Sequence, residues 1–283
     1  MKAVVCKAWG LPETLIIEEL PDVVPKAGEV MIDIFAAGVN FPDVLIIQNK
    51  YQFKPELPFT PGNELAGVVR AIGDGVTKFK RGDRVFAFVP QGAFAQQIAV
   101  AESSVFPMTD QMEFEAAAAL TLTYGTSYHA VVDRAELKAG ETMLVLGAAG
   151  GVGIAAIEIG KALGAKVIAA ASTDEKLAIC KLHGADVLIN YTNEDLREAI
   201  KKATNGKGPD VIRPDAAAAA ERADALIMPH AGHLDEGGHW NDIDEFPFRH
   251  GEIAAFGIGT DDAIPLLAQD GNGVGGIEQD ARR

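Results

Sequence analysis

The chain has 283 residues, 48% of them hydrophobic and 23% charged, a balance typical of a soluble globular protein long enough for two domains. A formal net charge of −15 opposes binding to nucleic-acid phosphates, which requires a basic surface. Two cysteines, Cys6 and Cys180, are too few for a disulfide framework or a cysteine-rich zinc lobe. No run approaches the roughly 18 apolar residues of a membrane span. We therefore expect a cytoplasmic protein with no nucleic-acid or membrane partner.

The first part of the chain is predicted to be rich in β-strands. The β-compatible runs are residues 3–6, 15–19, 29–36, 65–72, 84–88 and 94–100. Glycines between and within these runs indicate the bends and bulges of a small, strongly curved sheet. An alanine-rich helical stretch is predicted from about Glu113 towards Arg134.

The most informative segment is residues 143–153, MLVLGAAGGVG, which joins an apolar run to a helical pattern. A second apolar run follows at residues 166–172, so the segment predicts a strand–turn–helix–strand unit. Bare glycines let the backbone approach a pyrophosphate, and the helix N-terminus offers N–H groups and a positive dipole end. The unit therefore predicts a dinucleotide site at Gly147, Gly150, Gly151, Val152 and Gly153, the alternative being a packing turn without a ligand.

The residues after the second strand indicate which dinucleotide binds. An NAD site usually places an acidic residue at this strand end to bind the ribose 2′-hydroxyl. This chain has Ser172 at the strand end and Lys176 four residues later. A hydroxyl and an ammonium suit a 2′-phosphate, which predicts NADP. A contact between Asp174 and a ribose is an alternative that remains open. The alternative for Lys176 is that it is a solvated lysine in the first turn of a helix, without a ligand.

Further motifs occur in a fixed order along the chain. They are AAGVN (residues 36–40) with Asp43, PGNELAG (61–67), RGDRV (81–85), AAGGVG (148–153), GAD (184–186) with Tyr191, and GKG (206–208). Together they resemble the medium-chain dehydrogenase/reductase superfamily and, within it, the zinc-free quinone oxidoreductases related to zeta-crystallin. The resemblance covers about residues 1–212.

This resemblance implies an α/β protein of two domains with the active site in the cleft between them. Residues 1–122 would form a β-rich, GroES-like catalytic domain, and residues 123–212 a Rossmann-type doubly wound cofactor domain. It also implies NADP as the cofactor, a small quinone or enone as the substrate, and a homodimer like that of the family. Residues 213–283 depart from the family pattern and count against the homodimer.

On the substrate side, the resemblance implies that Asn40, Asp43 and Tyr51 line the cleft. Asn40 would hydrogen-bond a quinone or enone oxygen as charge develops on it, and Tyr51 would do the same or donate a proton. The alternatives are a turn-capping role for Asn40, an ordinary loop aromatic at Tyr51 and a helix-start role for Asp43. Glu64 is expected to be buried and structural.

On the cofactor side, the resemblance implies that Thr126 lies near the nicotinamide and that Tyr191 joins Ser172 and Lys176 around the 2′-phosphate and adenosine. A helical threonine bonded to its own backbone is the alternative for Thr126. Asn40 stands where zinc-dependent relatives carry a cysteine, and the PGNE motif has asparagine where they carry histidine. These amides replace the thiolate and imidazole that a zinc site needs, so no metal is expected.

Residues 213–283 differ from the rest of the sequence. They contain five Arg, no Lys, 14 acidic residues, four of the six His and a single valine. Relatives continue after the fourth strand with a Tyr-Asp-x-Val-Gly-Gly pattern, whereas this chain reads RPDAAAAA from Arg213. We interpret the segment as a reading-frame shift after Ile212, with a genuinely divergent tail as the alternative.

The sequence therefore predicts an NADPH-dependent oxidoreductase that transfers a hydride to a quinone or a related activated alkene or carbonyl, independently of zinc. An enoyl reductase of the same superfamily is the close alternative. A catalytically impaired cofactor-binding remnant is an alternative of a different class, because the altered C-terminal segment leaves the nicotinamide pocket incomplete.

Overall fold

The computed structural model describes residues 1–213. The strands are β1 (Lys2–Val5), β2 (Ile16–Glu19), β3 (Glu29–Gly38), β4 (Glu64–Ile72), β5 (Arg84–Phe88), β6 (Gln97–Ala101), β7 (Val105–Pro107), β8 (Thr142–Leu146), β9 (Lys166–Ala171), β10 (Val187–Asn190) and β11 (Val211–Arg213). The helices are α1 (Phe41–Ile47), α2 (Phe114–Ala118), α3 (Leu120–Tyr128), α4 (Gly151–Ala162), α5 (Asp174–Leu182) and α6 (Leu196–Ala203). A π-helical turn at His129–Arg134 extends α3.

The N-terminal part is built on a five-stranded antiparallel sheet in the order β6–β3–β4–β5–β7, beside a β1–β2 hairpin. The β3–β4 register shifts between Ile34 and Ala36, and Gly67 lies opposite Ile34 at this irregularity. A Cβ on Gly67 would collide with the carbonyl oxygen of Asp33, so only glycine permits this close approach of the strands. Such shifts bend the strand, as the glycine pattern predicts.

The C-terminal part of the described chain is built on a parallel sheet in the order β10–β9–β8–β11. From β8 the chain crosses through α4 to β9 and through α5 to β10, and α6 then leads to β11 on the other side of β8. Alternate residues of β8 bury on opposite faces: Met143 and Val145 with α4, Leu144 and Leu146 with α6. This confirms the doubly wound arrangement, whose topological switch lies between β8 and β11, and ligands of such sheets bind at the carboxyl strand ends there.

The structure differs from the sequence prediction in three places. The helical stretch predicted from Glu113 to Arg134 is divided into α2, α3 and a π-helical turn, with the first break at Ala119 (φ −98°, ψ 4°). Strand β6 begins at Gln97 rather than Phe94: the Phe94 carbonyl oxygen and the Gln96 N–H bond to β1, and the Gln96 carbonyl oxygen accepts from Ile34 in β3. Strand β7 was not predicted, and the helix-start alternative for Asp43 is the only indication of α1, since three and seven residues are too short to show a clear hydrophobic period.

Within residues 1–213 no helix has the length and apolar character needed to cross a membrane. The expectation of a reading-frame shift after Ile212 concerns residues 213–283, of which all but Arg213 lie outside the described part of the chain.

Candidate functional site

The turn between β8 and α4 has the backbone shape that a pyrophosphate requires. Gly147 has a φ of +59°, and Gly150 is the extended N-cap of α4 with no side chain to cap the helix. A Cβ on Gly153 would lie 2.6 Å from the carbonyl oxygens of Gly147 and Ala148, so α4 rests directly on the turn. The first-turn N–H groups of α4, including those of the predicted residues Gly151 and Val152, thus lie at the carboxyl end of β8, and no side chain of residues 1–213 caps them. This arrangement fits a dinucleotide pyrophosphate.

Ser172 and Tyr191 lie at the carboxyl ends of the neighbouring strands. Ser172 directly follows β9, while Tyr191 directly follows β10 and is 39% exposed. The Thr192 hydroxyl donates a 2.8 Å hydrogen bond to the Ser172 carbonyl oxygen. This bond ties the two strand ends, so the structure brings both predicted adenosine-side positions to one edge of the sheet.

Lys176 lies in the first turn of α5 and is exposed. Its backbone N–H donates to the Thr173 hydroxyl at 3.3 Å, whereas its ammonium has no hydrogen-bond or ion-pair partner among residues 1–213. Asp174, the residue left open as a ribose contact, accepts a 2.7 Å hydrogen bond from the side-chain amide of Asn190. This bond leaves the Asp174 carboxylate charged, and the positive charge that the turn offers to a ligand is the Lys176 ammonium, which suits a phosphate better than a diol.

Asn40 and Asp43 form the buried start of α1. Asn40 is the N-cap, and its backbone N–H donates to Asp43 Oδ2 at 2.8 Å. Its amide Nδ2 donates to Glu64 Oε1, also at 2.8 Å, so the three side chains form one polar cluster. Asn40 and Asp43 are only 2% and 4% exposed. Among the described residues the Oδ1 atoms of both lack a hydrogen-bond partner, which leaves Asn40 able to contact a further group.

The protonation of this cluster follows from its burial. Burial and, to a smaller extent, the Glu64 charge raise the pKa of Asp43 to about 7, against the backbone hydrogen bonds from Asn40 and Gly62. Burial also raises the pKa of Glu64, opposed by the hydrogen bonds from Asn40 and from the backbone of Leu122. Two coupled carboxyls in a site of low polarity therefore retain a proton close to neutral pH.

Tyr51 packs against the C-terminal residues of α1. Its ring contacts an apolar group formed by Cys6, Ile46, Ile47 and Phe59. Partial burial raises the pKa of the phenol, and the nearby Asp43 charge adds to the shift. Tyr51 is therefore neutral at physiological pH and is suited to donating a hydrogen bond rather than a proton.

Thr126 lies in α3, and the residue after it is hydrogen-bonded to the first turn of α4. The neighbouring residue Ser127 is fully buried, and its hydroxyl donates a 2.7 Å hydrogen bond to the carbonyl oxygen of Val152 in the first turn of α4. The sequence analysis missed Ser127, because a serine within a helix has no distinguishing pattern. Its importance becomes visible only once α3 packs on α4.

A second contact that the sequence analysis missed also joins α3 to α4. The Tyr124 hydroxyl in α3 donates to the carboxylate of Glu158 in α4, whose other oxygen lies 2.6 Å from Nδ1 of His183 at the end of α5. Although burial opposes it, the bonds from Tyr124 and His183 hold the pKa of Glu158 below its usual value. Residues far apart in sequence make this contact, so no local motif indicates it.

The described residues offer amides where a zinc site would need stronger ligands. Asn40 and Asn63 occupy the two substituted positions and are 2% and 8% exposed. Within residues 1–213 no group of three or more His, Cys, Asp or Glu side chains is placed to hold a metal ion.

Comparisons with known proteins agree with this architecture. Residues 26–110 match the family model of the alcohol dehydrogenase GroES-like domain, and residues 151–230 match the model described as zinc-binding dehydrogenase. The second match reaches further than residue 212, where the resemblance read from the motifs ends. The chain is 36% identical to human quinone oxidoreductase over 236 residues, covering 83% of this chain and 72% of the relative.

Two solved structures extend the comparison. The Escherichia coli quinone oxidoreductase complexed with NADPH matches with a TM-score of 0.73 and 34% identity, over 78% of this chain and 68% of that one. The CurK enoyl reductase matches with a TM-score of 0.69 and 30% identity, over 75% of this chain and 66% of that one. The family and the two-part α/β fold expected from the sequence are thereby confirmed. The chain belongs to the quinone oxidoreductase family of the medium-chain dehydrogenases/reductases, a family of oxidoreductase enzymes.

Proposed function

We propose that this protein is an NADP-dependent reductase of a quinone or a related activated alkene or carbonyl, working without a metal ion. The observation that carries the proposal is the start of α4 at the topological switch, where Gly150 supplies no side-chain cap, together with the Lys176 ammonium in the first turn of α5, which has no partner among residues 1–213. The NADPH complex of the E. coli relative supports the same cofactor.

The residues that would hold the cofactor come from three strand ends and one helix. The backbone of residues 147–153 would bind the pyrophosphate, and Ser172, Lys176 and Tyr191 would bind the 2′-phosphate and adenosine. Thr126 would lie on the nicotinamide side, held there by the neighbouring Ser127 contact to α4. Bound NADPH supplies a hydride, so the protein's own task is orientation and stabilisation of charge.

The substrate-side residues would act through hydrogen bonds. Asn40 has one amide hydrogen beyond the one given to Glu64, and this hydrogen suits an oxygen on which negative charge develops. The neutral Tyr51 hydroxyl would serve as a second donor. We propose residues 1–122 as the catalytic domain and residues 123–212 as the cofactor domain, with α3 crossing the boundary between them.

Zinc independence and a cytoplasmic location are part of the proposal. Amides at positions 40 and 63 support the first, because neither supplies the thiolate or imidazole of a zinc site. The cytoplasmic location rests on Cys6 and Cys180, which are both buried and form no disulfide, because thiols stay reduced in the cytoplasm.

The test is NADPH oxidation by p-benzoquinone, followed by absorbance, with protein treated with a chelator and then dialysed. We expect saturable turnover that survives chelation and is much slower with NADH. Activity that disappears on chelation and returns with zinc, or equal use of the two cofactors, would contradict the proposal.

Enoyl reduction is the second candidate, because the CurK enoyl reductase shares the fold at 30% identity. An enoyl thioester assayed beside the quinone on one preparation separates the two, since the true substrate class should have the higher kcat/KM. Tight NADPH binding without turnover of either substrate would instead indicate a cofactor-binding module.

A further inference from the structure

Glu64 joins the substrate side of the site to the helix beside the cofactor. The residue begins β4 and is only 1% exposed. Its Oε1 accepts a 2.8 Å hydrogen bond from the Asn40 side chain, and its Oε2 accepts a 2.9 Å hydrogen bond from the backbone N–H of Leu122 in α3. One buried carboxylate thus holds two segments that are distant in sequence.

Helix α3 needs this carboxylate because its own sequence leaves it uncapped. The N-cap of α3 is Ala119, whose side chain has no acceptor for the N–H groups of the first turn. Leu122 is the third residue of α3, the position whose N–H an N-cap side chain ordinarily satisfies. Glu64 takes this role from another element, and its negative charge lies at the positive end of the helix.

The carboxylate of Glu64 is also confined sterically. A Cβ on Gly38, at the end of β3, would lie 2.5 Å from Glu64 Oε1 and 2.7 Å from the Ala118 carbonyl oxygen. A side chain at position 38 would therefore push the carboxylate off its partners. Gly38 gives Glu64 the space to reach Asn40 and α3 together.

The C-terminal half of α3 is fixed independently, by the 2.7 Å hydrogen bond from the Ser127 hydroxyl to the Val152 carbonyl oxygen at the start of α4. We propose that Glu64 is a positioning residue of the reductase reaction: it holds Asn40 and α3 in one fixed relation, so that the substrate oxygen faces the nicotinamide side marked by Thr126. This inference rests on the proposed function and assigns Glu64 no contact with the substrate or the cofactor.

The primary test is Glu64→Gln, which keeps the size of the side chain but presents one acceptor and one donor. The Leu122 N–H then bonds a neutral oxygen instead of a carboxylate, which weakens the cap of α3. Asn40 keeps a bond to position 64 only by turning its amide so that Oδ1 accepts, which redirects its amide hydrogens. In the cofactor-free protein we expect faster hydrogen–deuterium exchange over residues 119–126. With NADPH and quinone we expect kcat to fall roughly tenfold to a hundredfold, as for a small misplacement of reacting groups. The Kd for NADPH should stay within about threefold, because the turn at residues 147–153 is untouched.

Glu102→Gln is the matched control. The Glu102 carboxylate also accepts two backbone hydrogen bonds, from Thr77 at 2.7 Å and Lys78 at 2.6 Å, but Glu102 is only partly buried and bonds no part of α3. Exchange over residues 119–126 and kcat should both match wild type in this variant.

The double variant Asn40→Asp with Glu64→Gln supplies the rescue. Reversing the amide and the carboxylate lets the amide at position 64 accept from Leu122 and donate to position 40. We expect exchange over residues 119–126 to slow again towards wild type, while kcat stays low because the Asn40 amide is gone. Failure of the exchange to recover would show that the cap does not depend on this bond.

If Glu64→Gln does not fold, Gly38→Ala perturbs the same carboxylate from the opposite side and should give the same faster exchange with lower kcat. Unchanged exchange, unchanged kcat, or a loss of NADPH affinity as large as the loss of kcat would each overturn the positioning role. An inactive wild-type protein would refute the proposed function and the positioning role with it, and this result is seen before any variant is made.

Discussion

Replacing Lys176 by Met tests whether the first turn of α5 selects NADP over NAD. The ammonium is exposed and has no partner in the described part of the chain, so the change removes a charge without breaking an internal contact. A hydrogen bond to a charged group contributes roughly 1.5–3 kcal/mol, and exposure to salt favours the lower end. We therefore expect Kd for NADPH to rise about tenfold and Kd for NADH to change by less than about twofold, since NADH has no 2′-phosphate.

Calorimetric titration of both cofactors measures the effect, and Lys181→Met is the matched control. Lys181 is an exposed lysine in the last turn of the same helix, about 7.5 Å along the axis from Lys176. Its loss should leave both affinities unchanged. Raising the ionic strength should weaken NADPH binding to wild type more than to Lys176→Met, because screening acts on the contact that the variant lacks.

Two results would refute this reasoning. An equal loss of NADPH and NADH affinity would show that Lys176 supports the fold of the turn rather than the 2′-phosphate. An unchanged Kd for NADPH would show that another group binds this phosphate.

Three further predictions concern the turn, the helix contact and the buried acid. Gly153→Ala places a methyl group 2.6 Å from two carbonyl oxygens, so it should weaken NADPH and NADH equally and lower Tm; wild-type values of both would contradict the close packing of α4 on the turn. Ser127→Ala should lower the free energy of unfolding by about 1 kcal/mol in urea titration, the usual contribution of a hydrogen bond, and no change would show that the contact to Val152 adds no stability. The folded state binds a proton at Asp43 more tightly than the unfolded state, since burial raises this pKa from 3.8 to about 7. Stability from this group is therefore present at low pH and lost as pH rises to about 7, so Asp43→Asn should gain stability relative to wild type across that window, and a difference independent of pH would contradict it.

The cofactor turn was predictable because its signals are local. The apolar period of residues 143–146, the glycines that follow and the helical pattern after them all lie within one crossover unit. Each expresses a local requirement, such as the positive φ at Gly147 or the close approach at Gly153. Strand β5 was likewise predicted with its observed bounds, residues 84–88, since a short β-compatible run between turn signals defines it.

The polar contacts of the substrate side could not be predicted in the same way. Glu64 bonds residues that are 24 and 58 positions away in sequence, and the Ser127 contact spans 25 positions. The sequence indicated that Glu64 is buried, but its partners depend on how β4, α1 and α3 meet in three dimensions. The break at Ala119 was missed for a related reason: an alanine-rich run favours a continuous helix, and only the cap supplied by Glu64 makes a new start at Leu120 favourable.

This contrast between local and long-range contacts bears on what each part of the site controls. The residues expected to choose the cofactor stand at the ends of β9 and β10, where each is placed by its own strand and the turn that follows. Changes there should alter affinity with little effect on the rest of the site. The residues expected to orient the reaction are held by contacts between distant elements, with Glu64 at one end of α3 and Ser127 at the other. Changes at Glu64 should alter kcat before they alter cofactor affinity, because they move α3 relative to Asn40 while the pyrophosphate turn keeps its shape. Ser127 bonds Val152 within that turn, so changes at Ser127 should alter both kcat and cofactor affinity.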